Sequence, residues 1–145
     1  MFKAIDRMLI RLEPALLLVG RLLIALLFVP SGWGKLTGIG GFIQTLGSRG
    51  VPAPGVLGYV AAVVELFGGL ALALGIKTRA AALLLAIFTV AATLIAHRYW
   101  EFQDAARVAQ QINFYKNLAI IGGLLVLASR GGGPYSVDRV LDRRA

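Results

Sequence analysis

The chain of 145 residues has no cysteine, a single histidine, and seven acidic residues against fifteen basic ones. Without cysteine there can be no disulfide, thiolate metal site or thiol redox chemistry within the chain, so any redox role needs a bound cofactor or a partner protein. One histidine, with no carboxylate cluster at ligand spacing, argues against a metal site. Also missing are a nucleophile elbow, a paired-carboxylate arrangement and a phosphate loop, since Gly38, Gly40 and Gly41 are not followed by Lys-Ser or Lys-Thr. No internal repeat is evident. The net charge of +8 does not point to nucleic acid, because the basic residues are spread along the chain and sit beside apolar runs.

Apolar sequence is what the chain has in abundance. It is 58% hydrophobic, against roughly 45–50% for a soluble domain, and its mean hydropathy is +0.78. Eighteen glycines fit helices that approach one another closely in lipid. Four stretches approach the ~20 apolar residues needed to cross a bilayer: 15–33, 56–76, 80–96 and 112–129. The expected fold is therefore all-α, one integral membrane four-helix bundle over residues 1–145.

An even number of crossings returns both termini to one side. That side receives Lys3, Arg7, Arg11, Lys77, Arg79, Arg130, Arg139, Arg143 and Arg144, and the other Lys35, Arg49, Arg98 and Arg107. The positive-inside rule then predicts cytoplasmic termini. Aromatic residues at the opposite span ends, including Trp33, Tyr59, Tyr99 and Trp100, agree with this frame. Apolar residues at helical spacing from Met1 to Leu12, and again at Val137, Val140 and Leu141, predict short interfacial helices at both termini. No small-residue cleavage site follows the first apolar run, so a cleaved signal peptide is not expected. Pro14 suits the first turn of span one, and Pro30 is expected to kink its outer end. The connection 34–55 carries an apolar face of Phe42, Ile43 and Leu46 and reads as a lid or re-entrant segment.

Ionisable residues inside apolar spans usually face a protein interior and mark a functional site. At ~1.5 Å per residue from the cytoplasmic end of each span, Arg21 lies ~9 Å deep, Glu65 ~16 Å, Lys116 ~20 Å, His97 ~26 Å and Lys35 ~30 Å. Each span offers a stripe of small or polar residues to an interior. These stripes are Arg21, Ala25, Phe28, Gly32 and Lys35; Gly58, Ala62, Glu65 and Gly69; Ala82, Ala86, Thr89, Thr93 and His97; and Asn113, Lys116, Ile120 and Gly123. The expected site is a pocket floored by Arg21 and Glu65 and lined by Phe28, Trp33, Lys35, His97, Asn113, Lys116 and Asn117. Two readings stand for Glu65: a structural ion pair with Arg21 or Lys116, or a proton acceptor and ligand anchor acting with Lys116.

The ordered set of motifs resembles the DoxX family of small bacterial membrane proteins. The resemblance rests on Arg21, Ser-Gly-Trp-Gly-Lys-Leu at 31–36, Glu65 with Gly68 and Gly69, Gly-Ile-Lys-Thr-Arg at 75–79, His97, Asn-Phe-Tyr-Lys-Asn at 113–117, and Gly-Gly-Pro-Tyr-Ser-Val-Asp at 132–138. It implies a four-span inner-membrane protein with a looser link to respiratory redox chemistry through a thiosulfate:quinone oxidoreductase subunit. The leading functional expectation is a redox-associated subunit binding quinone or a similar amphipathic molecule between the helices. Glu65 and Lys116 would act on the polar head, in company with a partner redox protein or a second copy. A transporter or channel for a small solute or proton, and a non-catalytic scaffold, are the alternatives. Any enzymatic activity would be that of a quinone-linked oxidoreductase subunit.

Overall fold

The computed structural model describes residues 2–143; Met1 and Arg144, counted in the sequence reading, lie outside them. The described residues are helical with short connections: α1 Phe2–Thr37, α2 Ile39–Ser48, α3 Pro54–Leu74, α4 Thr78–Ala96, a 3₁₀ turn at Tyr99–Glu101, α5 Asp104–Arg130 and α6 Val137–Asp142. Helices α1, α3, α4 and α5 are long and apolar enough to cross a membrane. The protein is an integral membrane four-helix bundle. Leu23, Leu26, Phe67, Ile87 and Val126 are more than half exposed, as lipid-facing side chains must be.

The N-terminal amphipathic stretch is not a separate helix. It runs without a break into span one, and α1 continues through Pro14 and Pro30. A proline removes one backbone donor, and the remaining hydrogen bonds of a long helix can carry it past such a site. The connection after α1 is itself helical. In it, α2 lays Phe42, Ile43 and Leu46 over Gly58 at the start of α3, and Leu46 is buried.

Glycine sets the distance between the spans. A Cβ on Gly32 would collide with the Leu66 amide nitrogen and the Ala62 carbonyl, so α1 and α3 touch backbone to backbone there. Two turns further along α3, Gly69 faces Phe28 and Val29 of α1, while its neighbour Gly68 faces Leu85 of α4. One Gly-Gly pair thus seats α3 between two partners. Below it Phe28, Leu72, Leu85, Leu124 and Leu127 form a continuous buried cluster. Helix α5 packs chiefly on α4.

The end of the bundle carrying the termini is tied by polar contacts. Gly75 ends α3 at φ 70°, and Lys77, at φ 46°, leads into α4. The first amides of α4 point at Asp138, whose carboxylate accepts from Lys77 N (2.6 Å), Thr78 N (2.8 Å) and Thr78 Oγ1 (2.8 Å). A carboxylate at a helix N-terminus satisfies free donors and the helix dipole together. Burial would raise the Asp138 pKa, but these hydrogen bonds from Thr78 and Lys77, with the Lys77 charge, hold it below its ordinary value. Arg79 donates to the Ala128, Ser129 and Arg130 carbonyls at the end of α5.

Candidate functional site

On the opposite side of the Gly69 contact the bundle opens. A cavity of about 540 Å³ lies among α1, α2, α3 and α4, with Asn117 contributed by α5. Its wall is mainly apolar, from Leu27, Phe28, Leu46, Val60 and Phe88, and its polar groups include Ser31, Lys35, Glu65, His97 and Asn117.

The buried Glu65 carboxylate anchors the polar part. Its Oε2 accepts from Lys35 Nζ at 2.5 Å and from Ser31 Oγ at 3.0 Å, and Lys35 also donates to Ser31 Oγ at 2.7 Å. Lys35 and Ser31 are one turn apart on α1, so both reach the same point on α3. Counted by rise alone, Lys35 and Glu65 are about 14 Å apart in depth. Helix direction closes much of that gap. Side chains lean toward their helix N-terminus, and α1 and α3 run antiparallel, so Lys35 leans into the membrane while Glu65 leans out to meet it. The Lys35 side chain is 24% exposed and that of Glu65 8%. Lys35 Nζ lies 5.3 Å from the centre of the Phe42 ring, which joins the ion pair to α2.

Two further polar links occur at the cavity wall. His97 Nδ1 and Gln110 Oε1 are 2.8 Å apart, and Asn117 Nδ2 donates to Thr93 Oγ1 at 2.9 Å. Thr89 and Thr93 hydroxyls are returned to their own helix at Leu85 O and Thr89 O, leaving the upper face of α4 polar without free donors.

The pairing expected for Glu65 is corrected on both counts. Arg21 is almost wholly buried, yet it points away from the cavity and donates to the Gly132 carbonyl at 2.8 Å and the Tyr135 carbonyl at 2.6 Å. It clasps the C-terminal segment to α1. Lys116 is exposed and donates to Asn113 Oδ1 at 2.9 Å. The reason lies in helical phase: α5 turns Asn117, Ile120, Leu124 and Leu127 toward the bundle, and Lys116, one residue earlier, is swung about 100° off that face. Trp33 is also exposed. Of the expected pocket residues, the structure gathers Phe28, Lys35, Glu65, His97 and Asn117 around one cavity and leaves Arg21, Trp33, Asn113 and Lys116 outside its wall.

Sequence reasoning missed Ser31, which bridges the ion pair, and Phe42, which lies over Lys35. Ser31 stands four residues before Lys35, a spacing that signals a shared face. It also missed Asp138 and Arg79, whose partners are mainly backbone groups that no pattern of side chains reveals. Among the described residues no group of His, Asp and Glu could hold a metal ion.

Comparison with known proteins places the chain. It is 36% identical to the inner membrane protein YphA of Escherichia coli strain K12 over 127 residues, spanning 88% of this chain and 91% of that protein. It is 39% identical to the inner membrane protein YqjF of the same strain over 134 residues, spanning 92% and 98%. A more distant likeness, 28% identical, links 85% of the chain to 33% of the ER-derived vesicles protein ERV29 of Saccharomyces cerevisiae. No solved structure matches it. The DoxX family model matches residues 16–98, the segment holding Arg21, Ser31, Lys35, Glu65 and the Gly-Gly contact between spans, and the chain belongs to the DoxX family.

Proposed function

We propose that the protein is a bacterial inner-membrane subunit, termini in the cytoplasm, that binds quinone or a similar small amphipathic molecule in the cavity around Glu65. The observation carrying this reading is the ion pair itself: a buried carboxylate and an ammonium, bridged by a hydroxyl, at one edge of an otherwise apolar cavity of about 540 Å³. Small-ligand sites take this form, an apolar wall with a few converging polar groups. The Lys35 ammonium and the Ser31 hydroxyl would donate to a carbonyl or hydroxyl head, Glu65 would hold both in place, and Phe28, Leu46 and Phe88 would hold the ring. His97 and Asn117 contribute at the far wall.

Binding is favoured over conduction because the cavity has a floor. Close packing at Gly69 and the buried cluster of Phe28, Leu72, Leu85 and Leu124 adjoin it, and dense packing of this kind resists passage of a solute. Inner-membrane placement draws on the names of YphA and YqjF, and orientation on the distribution of Lys and Arg. A partner redox protein would deliver electrons if chemistry occurs, since neither this chain nor a second copy of it has a thiol.

Titration of the detergent-purified protein with a short-tailed ubiquinone tests the reading. Saturable binding is expected, weakened about tenfold or more by Lys35→Met or Glu65→Gln and unchanged by Lys116→Gln, whose side chain lies outside the cavity. Absence of saturable binding, or equal affinity in all four proteins, rejects it.

A further inference from the structure

A second cleft, at the opposite end of the bundle, has no part in the quinone reading. It measures about 630 Å³ and opens where α3 passes to α4 and α5 to α6. The ionisable residues on its wall are Lys77, Arg79, Arg130 and Arg139 against Asp138 and Asp142. Three of these six are already engaged. Both Asp138 oxygens accept from the start of α4, Arg79 covers the last carbonyls of α5, and Arg130 pairs with Glu13 at 3.2 Å. Among the described residues, neither the Lys77 ammonium nor the Arg139 guanidinium forms a salt bridge, although the Lys77 charge acts on Asp138.

Position narrows the ligand. The cleft lies at the level where three spans end, and Tyr135, Val140 and Leu141, neighbours in sequence of its wall, are half or more exposed. An anion that fits must therefore meet cations on one side and an apolar surface on the other. A phospholipid meets both conditions, whereas a free inorganic anion meets only the first.

We propose that this cleft seats the headgroup of an anionic phospholipid, with its phosphate against Lys77 and Arg139 and its acyl chains along the exposed apolar residues of the C-terminal segment. The lipid would then fasten α6 to the membrane and brace the junction between α4 and α5. Positive-inside topology alone requires cations at this end but not a cleft that collects them.

Native mass spectrometry of the delipidated full-length protein tests the site, using phosphatidylglycerol and phosphatidylcholine of identical acyl chains. Phosphatidylglycerol should be retained preferentially. Each cation near a membrane surface contributes roughly fivefold, so Lys77→Gln with Arg139→Gln should lower its retention about twenty-five-fold. A control pair at the same end but outside the cleft, Arg7→Gln with Arg11→Gln, should keep the preference. If the double variant does not fold, Arg139→Gln alone, at an exposed side chain, should show the fivefold loss. Equal retention of the two lipids, an equal loss in the control pair, or full displacement by equimolar inorganic phosphate overturns the proposal.

Discussion

A double-mutant cycle on Lys35 and Glu65 measures whether the ion pair is a coupled unit. Removing one member of a buried pair typically costs ~3–5 kcal/mol, because the other charge is left without compensation. Lys35 remains 24% exposed, so water relieves part of that penalty and the lower end, ~3 kcal/mol for Lys35→Met or Glu65→Gln, is the better figure. The double variant leaves no charge behind and retains a hydroxyl at Ser31 to meet the amide, so its cost should not exceed the ~3 kcal/mol of either single variant. Independent effects would instead sum to ~6 kcal/mol. The coupling is thus ~3 kcal/mol or more. At ~2–4 °C per kcal/mol for a chain of this size, thermal unfolding in detergent should show each single variant falling ~6–12 °C and the double variant falling no further. Additive shifts would refute the reasoning and make the 2.5 Å contact energetically idle.

Three more perturbations follow from the geometry. Gly32→Ala forces α1 off the α3 backbone and should cost ~1–3 kcal/mol, whereas Gly34→Ala, with no atom within 4 Å of the added carbon, should be neutral or stabilising by up to ~1 kcal/mol; thermal midpoints of the two variants compare them. Arg21→Met strips two carbonyls of charged donors and should cost ~3–6 kcal/mol at ~1.5–3 each, with limited proteolysis reporting earlier cleavage of the C-terminal segment. The carboxylate of Asp138 is held below its ordinary value of 3.8, so it contributes stability that is complete above that value and is lost as pH falls through the lower folded-state value. Thermal midpoints measured from pH 6 to pH 3 should therefore decline in the wild type and change less in Asp138→Asn, which starts lower.

The bundle was legible in the sequence because lipid imposes its rules one span at a time. Length, hydropathy and the small-residue stripes of the first three spans are local properties, and Arg21, Ala25, Phe28 and Gly32 share the buried face their spacing implied. Partner choice was not legible. A depth ladder counts backbone rise and ignores side-chain lean, which is why Lys35, the most distant cation by rise, is the one that reaches Glu65. The phase of α5 was set one residue early, because Asn117 and Lys116 are both polar and only the packing of Leu124 and Leu127 decides which turns inward. The contacts of Arg21, Arg79 and Asp138 are mainly to backbone groups brought together by tertiary folding, and the motifs containing them gave no hint that 75–79 and 132–138 meet.

Photoaffinity labelling with an azido-quinone, followed by peptide mapping, bears most directly on the role of the Glu65 cavity. Label should fall on peptides spanning 27–65 and 88–97, disappear with excess unlabelled quinone, and be reduced about tenfold or more in Glu65→Gln at sub-saturating probe. Label confined to the exposed face of α5 around Lys116, or undiminished by competitor and substitution alike, would contradict it.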